Sequence, residues 1–286
     1  MAAQRDAWLN QFLKLAIQED APDGDHTSRA CIPPQARCQA VLQVKDDGVL
    51  AGVEVAEFIF TSLDPGAKLE ILKDDGAAVS FGDVAFRVEC NTRAFLLAER
   101  LVLNVMQRMS GIATLSNHFL FEVEDLPVTV LDTRKTTPLV RFLEKWAVRL
   151  GGCSNYRFNL SDRFLIKDNH IDACGSIRAA IEKVAAYKSE HQLELPVTVE
   201  VRNLVELYEV MEAGQGCVDR IMFDNFELPL LKEGVDIVGG KFETEASGGV
   251  TIHNIRKVAK TGVNFISVGA LTHSAQSLDL SLKIVG

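Results

Sequence analysis

VTVEVRNLVELYEVMEAGQGCVDRIMFDN, residues 197–225, is the stretch whose reading decides the fold. It opens on VTVEV (197–201), a short β-branched run continuous enough to be buried on both faces. NLVELYEVMEAG (203–214) then carries helical spacing, with Asn203 as its cap and Gly214 as its stop. RIMFD (220–224) returns to strand. A strand–helix–strand unit this compact lays two parallel strands side by side. Working outward, the same alternation repeats. VTVLD (128–132) and FLIK (164–167) precede it; FETEA (242–246) and FISVG (265–269) follow. The intervening helical patterns are SIRAAIEKVAAYKSEH (176–191), with Ile177, Ile181 and Val184 on one face, and TIHNIRKVAKTG (251–262), expected to start at a capping Thr251 and stop at Gly262. Six strand–helix repeats within about 150 residues imply an all-parallel sheet. No GxGxxG follows the first strand, so an α/β barrel, an incomplete one, is preferred to a doubly wound sheet.

The first 110 or so residues read differently. A helix over 5–19 leads to the loop EDAPDGDHTS (19–28). Strand patterns at 38–45, 68–73 and 84–90 are punctuated by the turn signals DDGVLAG (46–52) and DDGAAV (74–79), with a helix near 53–63. This is an α+β unit with antiparallel strands. A long helical region, 92–109 and on to 124, leads into the barrel repeats.

Bulk properties narrow the functional classes. The 286 residues are 47% hydrophobic and 24% charged, the composition of a globular protein of one or two domains. No run of about 18 apolar residues exists, which argues against a membrane span. The N-terminal MAAQRDAWLNQFLKLAIQED has charges throughout and lacks the apolar core of a signal peptide. A net charge of −9 argues against nucleic-acid binding, and no aromatic pattern for base stacking is present. The six cysteines, at 31, 38, 90, 153, 174 and 217, include no CxxC; free thiols in a reducing cytoplasm are expected.

Against this acidic background, Arg134–Lys167 is a basic island. It holds eight Lys or Arg against Glu144 and Asp162, a local charge of +6. Most of it lies between two strand ends, which points to a pocket for a small polyanion. In a parallel barrel the strand C-termini carry the chemistry. Those positions are Asp132, Thr133, Arg134 and Lys135; Lys167, Asp168, Asn169 and His170; Glu200; Asp224 and Asn225; Glu245 with Ser247, Gly248 and Gly249; then Gly269 and Ala270. Charges set this deep in apolar strands need partners or ligands. Ser247-Gly248-Gly249 ahead of a helix can approach a phosphate. Glu200 and Asp224 can hold a hydrated Mg²⁺, stabilise a developing cation, or pair with Lys167. Arg134, Arg157 and Lys167 can bind carboxylates. Arg141, Lys145 and Arg149 recur at helical spacing and read as a solvated or anion-facing side. His170 reads as a support within the IKDNH loop, and His273 as a neighbour of the phosphate turn; His26, His118, His191 and His253 read as surface or satisfied residues.

TRKTTP (133–138), GGCSNYR (151–157), LIKDNH (165–170), Glu200 in VEV, Asp224 in MFDN, ASGGV (246–250) and ISVGALTHS (266–274) occur in order, with ERLVLNVMQRMSGIAT (99–114) and EDAPDGDHTS before them. Together they resemble the quinolinate phosphoribosyltransferase family from about residue 10 to 283. The resemblance implies an N-terminal α/β sandwich over 1–112, a barrel over 113–274, and a C-terminal 275–286 that returns to the sandwich. It implies transfer of phosphoribosyl from phosphoribosyl pyrophosphate to quinolinate with Mg²⁺, giving nicotinate mononucleotide, CO₂ and pyrophosphate. It also implies a homodimer or dimer-based oligomer with shared sites, in which Arg100 enters the neighbour's cleft. Arg134, Arg157 and Lys167 would clamp carboxylates, with Tyr156 beside them. Lys135, preceded by Thr133, would meet the phosphoribosyl donor. Glu200 and Asp224 would face ribose and, directly or through water, Mg²⁺. Ser247, Gly248 and Gly249 with Val268, Gly269, Ala270 and His273 would hold the 5′-phosphate. Lys135, Glu200 and Asp224 would be catalytic.

One position departs from the family pattern, Tyr156 standing where His is common. A Tyr hydroxyl can still donate to a carboxylate but does not titrate near pH 7. The residues alone also admit a Schiff-base barrel with Lys167 as nucleophile, a related transferase acting on another aromatic acid, or a non-catalytic metabolite binder.

Overall fold

The computed structural model describes the backbone of residues 2–285 and the side chains of 5–285, so the outermost residue of each expected terminal span lies outside the described residues. The chain divides into two compact units, 1–114 with 275–286, and 115–274.

In the first unit, helices α1 (Ala2–Asp20) and α2 (His26–Cys31) precede β1 (Arg37–Val44) and the short β2 (Gly48–Val49). Helix α3 (Val53–Leu63) is followed by β3 (Lys68–Ile71), β4 (Ala78–Val79) and β5 (Val84–Asn91). The four-stranded sheet is antiparallel: β1 pairs with β5 on one side and with the C-terminal strand Leu280–Val285 on the other, and β5 also pairs with β3. Alternation explains the sheet's buried face. Ala40, Leu42 and Val44 of β1 are fully buried. Phe60 of α3 stacks on Phe95 at 6.2 Å and meets Phe86 edge-on at 6.3 Å. The long helical region expected over 92–124 is one helix, α4 (Thr92–Phe121). It carries Gly111 because a Cβ there would lie 1.8 Å from the Gln276 carbonyl.

The second unit alternates β6 (Thr129–Leu131), α5 (Arg141–Leu150), β7 (Phe164–Ile166), α6 (Asp168–Cys174), α7 (Ile177–Glu190), β8 (Val197–Val201), α8 (Leu204–Ala213), β9 (Arg220–Asp224), α9 (Leu228–Val238), β10 (Glu243–Ser247), α10 (Ile255–Ala259), β11 (Phe265–Ser267) and α11 (Ala270–His273). All strands are parallel, in the order β6-β11-β10-β9-β8-β7. The last strand has closed onto the first, as in a barrel, while the first and second do not pair. Ser154 bridges to Leu131 at that open edge. The result is an incomplete α/β barrel. Strand β8 shows why the sequence folds this way. Val197, Val199 and Val201 are fully buried on one side, and the alternate Thr198 and Glu200 share the other.

Two expectations about helices need correction. Thr251 does not begin a helix. Its N–H donates to Asn254 Oδ1 (2.7 Å), Asn254 Nδ2 donates to the Gly249 carbonyl (2.9 Å) and the Thr251 carbonyl accepts the Ile255 N–H (3.0 Å), so a single closed turn precedes the helix. The helix starts only at Ile255 and has five residues. Lys145 is not on a solvated side either. It is 1% exposed on α5 and forms an ion pair with Asp132.

Candidate active site

Residues at the C-terminal ends of the barrel strands line a cleft of about 690 Å³, within the usual size for a small-molecule site. Thr133, Arg134, Lys135, Tyr156, Arg157, Lys167, Asp224, Ser247, Gly248, Gly249, Gly269, Ala270 and His273 all contribute to its wall. Three expected residues do not. Val268 is fully buried and its N–H pairs with the Leu131 carbonyl, because alternation along β11 turns it away. Glu200 is 6% exposed and reaches the cleft only through Lys167, whose Nζ lies 2.6 Å from its Oε2. Arg100 is exposed on α4 of the other unit.

The cations are held by local structure. Thr137 donates to Glu144 through its N–H (3.0 Å) and hydroxyl (2.9 Å), Arg141 Nε donates to Thr136 Oγ1 (2.8 Å), and Thr272 Oγ1 donates to the Lys135 carbonyl (2.8 Å). The 133–138 loop is therefore fastened to α5 and α11. Arg141 of the basic island is a structural tie; Arg149 stays exposed. His170 Nδ1 accepts the Lys167 N–H (3.0 Å) and so orients that residue. No ion pair is found for Arg134, Lys135 or Arg157 among the described residues. Arg134 Nε is buried without an acceptor. Burial lowers the Arg157 guanidinium's proton affinity, and the charge of Arg134 lowers it further. Two arginines that repel one another and lack acceptors are arranged for a ligand with two carboxylates.

Asp132, directly after β6, and Glu245, in the middle of β10, do not enter the cleft. Asp132 is fully buried, and besides Lys145 it accepts the Tyr156 N–H (2.8 Å); Asn155 Nδ2 can also reach it at 2.8 Å. Glu245 accepts from Arg220 NH1 (2.9 Å) and Ser267 Oγ (2.5 Å). Tyr156 corrects a further expectation. Its hydroxyl is 3.0 Å from Thr198 Oγ1, inside the barrel, and its ring lies against Arg163 and Arg220. Burial pushes its phenol up to about 12.

Asn225, Ser267 and Thr251 also line the cleft and were not marked as ligand contacts. Asn225 alone had a local signal, its place directly after a strand-end Asp. It takes φ +55°, donates its N–H to the Ser247 carbonyl (2.8 Å) and its Nδ2 to Asp224 Oδ2 (2.8 Å). This packs it against Gly248, whose φ is +92° and whose Cβ would sit 2.1 Å from Asn225 Oδ1. Gly248→Ala should thus displace Asn225, lower the thermal midpoint and weaken binding of a sugar phosphate at least tenfold, from strain of about 1–3 kcal/mol. Gly249→Ala, with open space around the new Cβ, should do less. Calorimetric titration and thermal unfolding of both variants check this; equal effects would refute it.

Among the described residues no group of three His, Cys, Asp or Glu could cage a metal. Glu200 is engaged by Lys167 and Asp224 by Asn225. The donor set fits a hydrated Mg²⁺ that arrives on substrate phosphates, and does not fit a cation held by protein alone.

An incomplete α/β barrel with free cations and a glycine turn at its strand ends defines an enzyme-like fold for small polyanions. The chain matches the family description "Quinolinate phosphoribosyl transferase, N-terminal domain" over residues 25–110 and "Quinolinate phosphoribosyl transferase, C-terminal domain" over 112–283. It is 44% identical to quinolinate phosphoribosyltransferase (decarboxylating) 1b of Nicotiana tabacum and 45% identical to the chloroplastic nicotinate-nucleotide pyrophosphorylase (carboxylating) of Arabidopsis thaliana, each over 96% of this chain and 82% of the relative. The crystal structure of NadC from Streptococcus pyogenes superposes with a TM-score of 0.88 at 35% identity, covering 97% of both chains. The chain belongs to the quinolinate phosphoribosyltransferase family.

Proposed function

We propose that this chain transfers the phosphoribosyl group of phosphoribosyl pyrophosphate to quinolinate with decarboxylation, a step that forms nicotinate mononucleotide for NAD biosynthesis. One observation carries the reading: Arg134 and Arg157, both without carboxylate partners, share a cleft with the Lys135–Gly269 turn. Quinolinate brings two carboxylates to the arginines. Lys167, already beside Glu200, has a second N–H for one of them. The donor's 5′-phosphate fits the turns at 247–249 and 269–270. At Gly269 a Cβ would stand 3.1 Å from Lys135 Cδ and from His273 Nε2, so both side chains lie over that turn.

The pyridine nitrogen then attacks the ribosyl anomeric carbon, and pyrophosphate leaves with the bonding pair. Asp224 stabilises the positive charge that develops on the ribosyl centre, and Glu200 acts through Lys167, which it holds. The N-ribosylated ring is cationic and accepts the electrons of the C2–carboxylate bond as CO₂ departs; a proton from solvent fills C2. The chain's contribution is to position two polyanions and desolvate the departing carboxylate. When bound with the donor, Mg²⁺ would neutralise pyrophosphate charge, and Asp224 is the cleft carboxylate that would hold its water shell. A Schiff-base role for Lys167 is less well supported, since its amine is held in an ion pair.

Further expectations rest on this reading. Leu139, 83% exposed at φ +68° in the loop after Thr133–Lys135, and Leu160, 68% exposed after Arg157, support a dimer that covers them and brings the partner's Arg100 to the cleft. All six cysteines are free, in keeping with a reducing compartment such as the cytoplasm; the Arabidopsis relative is named as chloroplastic. No helix of the described residues is long and apolar enough to cross a membrane. The test is direct. Incubation with quinolinate, phosphoribosyl pyrophosphate and Mg²⁺ should release CO₂ and mononucleotide in equal amounts. Nicotinate, lacking one carboxylate, should be used at least ~10³-fold less efficiently, since it leaves a half-buried arginine unpaired. Equal use of both acids, or no product, would overturn the proposal.

A further inference from the structure

Beneath the cleft floor lies a polar network that the proposed chemistry does not use. Glu245 is fully buried on β10. Its Oε2 accepts from Arg220 NH1 at 2.9 Å, and Arg220 is held in turn by Glu243, with Nε at 2.9 Å and NH2 at 2.8 Å from Glu243 Oε2. The Arg220 guanidinium also lies 3.5 Å from the centre of the Phe265 ring. The other carboxylate oxygen, Oε1, accepts from Ser267 Oγ at 2.5 Å, within the range of a charge-assisted O–H···O⁻ bond. Burial raises the Glu245 carboxyl above its ordinary value, and the Ser267 hydroxyl, Arg220 and Arg163 work against that rise.

This bond fixes what Ser267 can offer. A serine hydroxyl has one proton. With Glu245 ionised against Arg220, that proton is directed down to Glu245, so the Oγ lone pairs are what remain for the cleft that Ser267 lines. Such a group cannot donate to a carboxylate or phosphate oxygen. It can only accept a hydrogen bond or face positive charge. Of the two substrates, the portion with these properties is the ribosyl group, through its hydroxyls and the cationic centre formed as pyrophosphate leaves. The register agrees: Ala246 pairs with Ile266 and Ser247 with Asp224, so Ser267 stands level with Ser247 and Asp224, two residues before the Gly269 turn.

We propose that Ser267 is a further donor-binding residue that accepts a hydrogen bond from the ribosyl group, and that Glu245, fixed by Arg220, is the positioning residue that locks it as an acceptor. The inference rests on the function proposed above. Loss of one such bond predicts that Ser267→Ala weakens phosphoribosyl pyrophosphate binding about tenfold and lowers kcat, while the affinity for quinolinate stays unchanged. Glu245→Gln can donate an amide N–H to Ser267 and release its proton toward the cleft, so it should show the same split. In the Ser267→Ala background it should cost no further donor affinity. Isothermal titration of each substrate separately, with thermal unfolding as the control for folding, reads all of this. Unchanged donor affinity in Ser267→Ala, a loss that falls on quinolinate instead, or additive losses in the double variant would overturn the inference alone. A parent protein that binds neither substrate would instead sink the proposed function, and this inference with it.

Discussion

Arg134→Ala should lower kcat/KM for quinolinate by about 10³-fold while leaving the protein as stable as before, or slightly more so. The activity side follows from desolvation. Arg134 Nε is already out of water without an acceptor, so its cost is borne before substrate arrives and is recovered only by a carboxylate. Truncating one partner of a buried charged pair costs about 2–5 kcal/mol, roughly 30- to 5,000-fold. The stability side follows from repulsion. Arg157 is held below its ordinary proton affinity first by burial and then by Arg134, and neither has an ion-pair partner among the described residues. Removing one of two like charges relieves the other, as expected where a site has been arranged for ligand at the expense of the empty fold. Arg157→Lys keeps the charge but loses the planar fork, and should lose about 10- to 100-fold in quinolinate KM with less effect on the donor. Steady-state kinetics with each substrate varied, beside thermal unfolding, provides the check. A lowered thermal midpoint in Arg134→Ala together with an unchanged quinolinate KM would mean that this arginine supports the fold and does not bind substrate.

The sequence reading succeeds where local pattern and tertiary demand coincide. VTVEV and RIMFD are strands because short runs rich in β-branched and aromatic residues are buried on both faces of a parallel sheet, and that continuity is written in the chain. Thr133, Lys167, Asp224 and Gly269 were legible as cleft residues because a parallel barrel puts every strand's C-terminus on one face. The failures are long-range. Lys145 carries the helical spacing of a solvated cation, and only the burial of Asp132 thirteen residues earlier makes it an interior partner. Thr251 is a good capping residue, yet it closes only a single turn and the helix begins at Ile255. The Tyr156 hydroxyl found Thr198, forty-two residues away. Ser267 and Glu245 have no local signature at all. Their relation is set by the pairing of adjacent strands, and nothing in FETEA or FISVG taken singly announces it.

The same gap between local pattern and tertiary setting makes Lys145 the place for the largest stability effect. Lys145→Met should destabilise the fold by about 3–5 kcal/mol, because it leaves the fully buried Asp132 without its counter-charge. The pH dependence identifies the cause. Burial raises Asp132 from 3.8 to about 6 in the folded chain, against the opposing pull of Lys145 and the Tyr156 N–H. A carboxyl with a raised folded pKa binds more protons folded than unfolded, so its contribution is fully present below about 3.8 and is lost as pH rises through about 6. Without Lys145 the folded value climbs further. The stability gap between parent and variant should therefore be widest near pH 8 and narrow toward pH 5, the other carboxylates cancelling in the comparison. Asp132→Asn in the Lys145→Met background removes the second charge yet keeps an acceptor for the Tyr156 N–H, and should recover about 1–3 kcal/mol at pH 8. Urea unfolding of the three variants at pH 5 and 8 measures each quantity. A gap independent of pH, or a double variant weaker than Lys145→Met alone, would show that the pair acts through packing and not through charge. The consequence reaches the chemistry, since Asp132 is joined directly to Thr133, Arg134 and Lys135 and also fixes the backbone of Tyr156 beside Arg157. A chain that loses this pair should lose quinolinate affinity even under conditions where it stays folded.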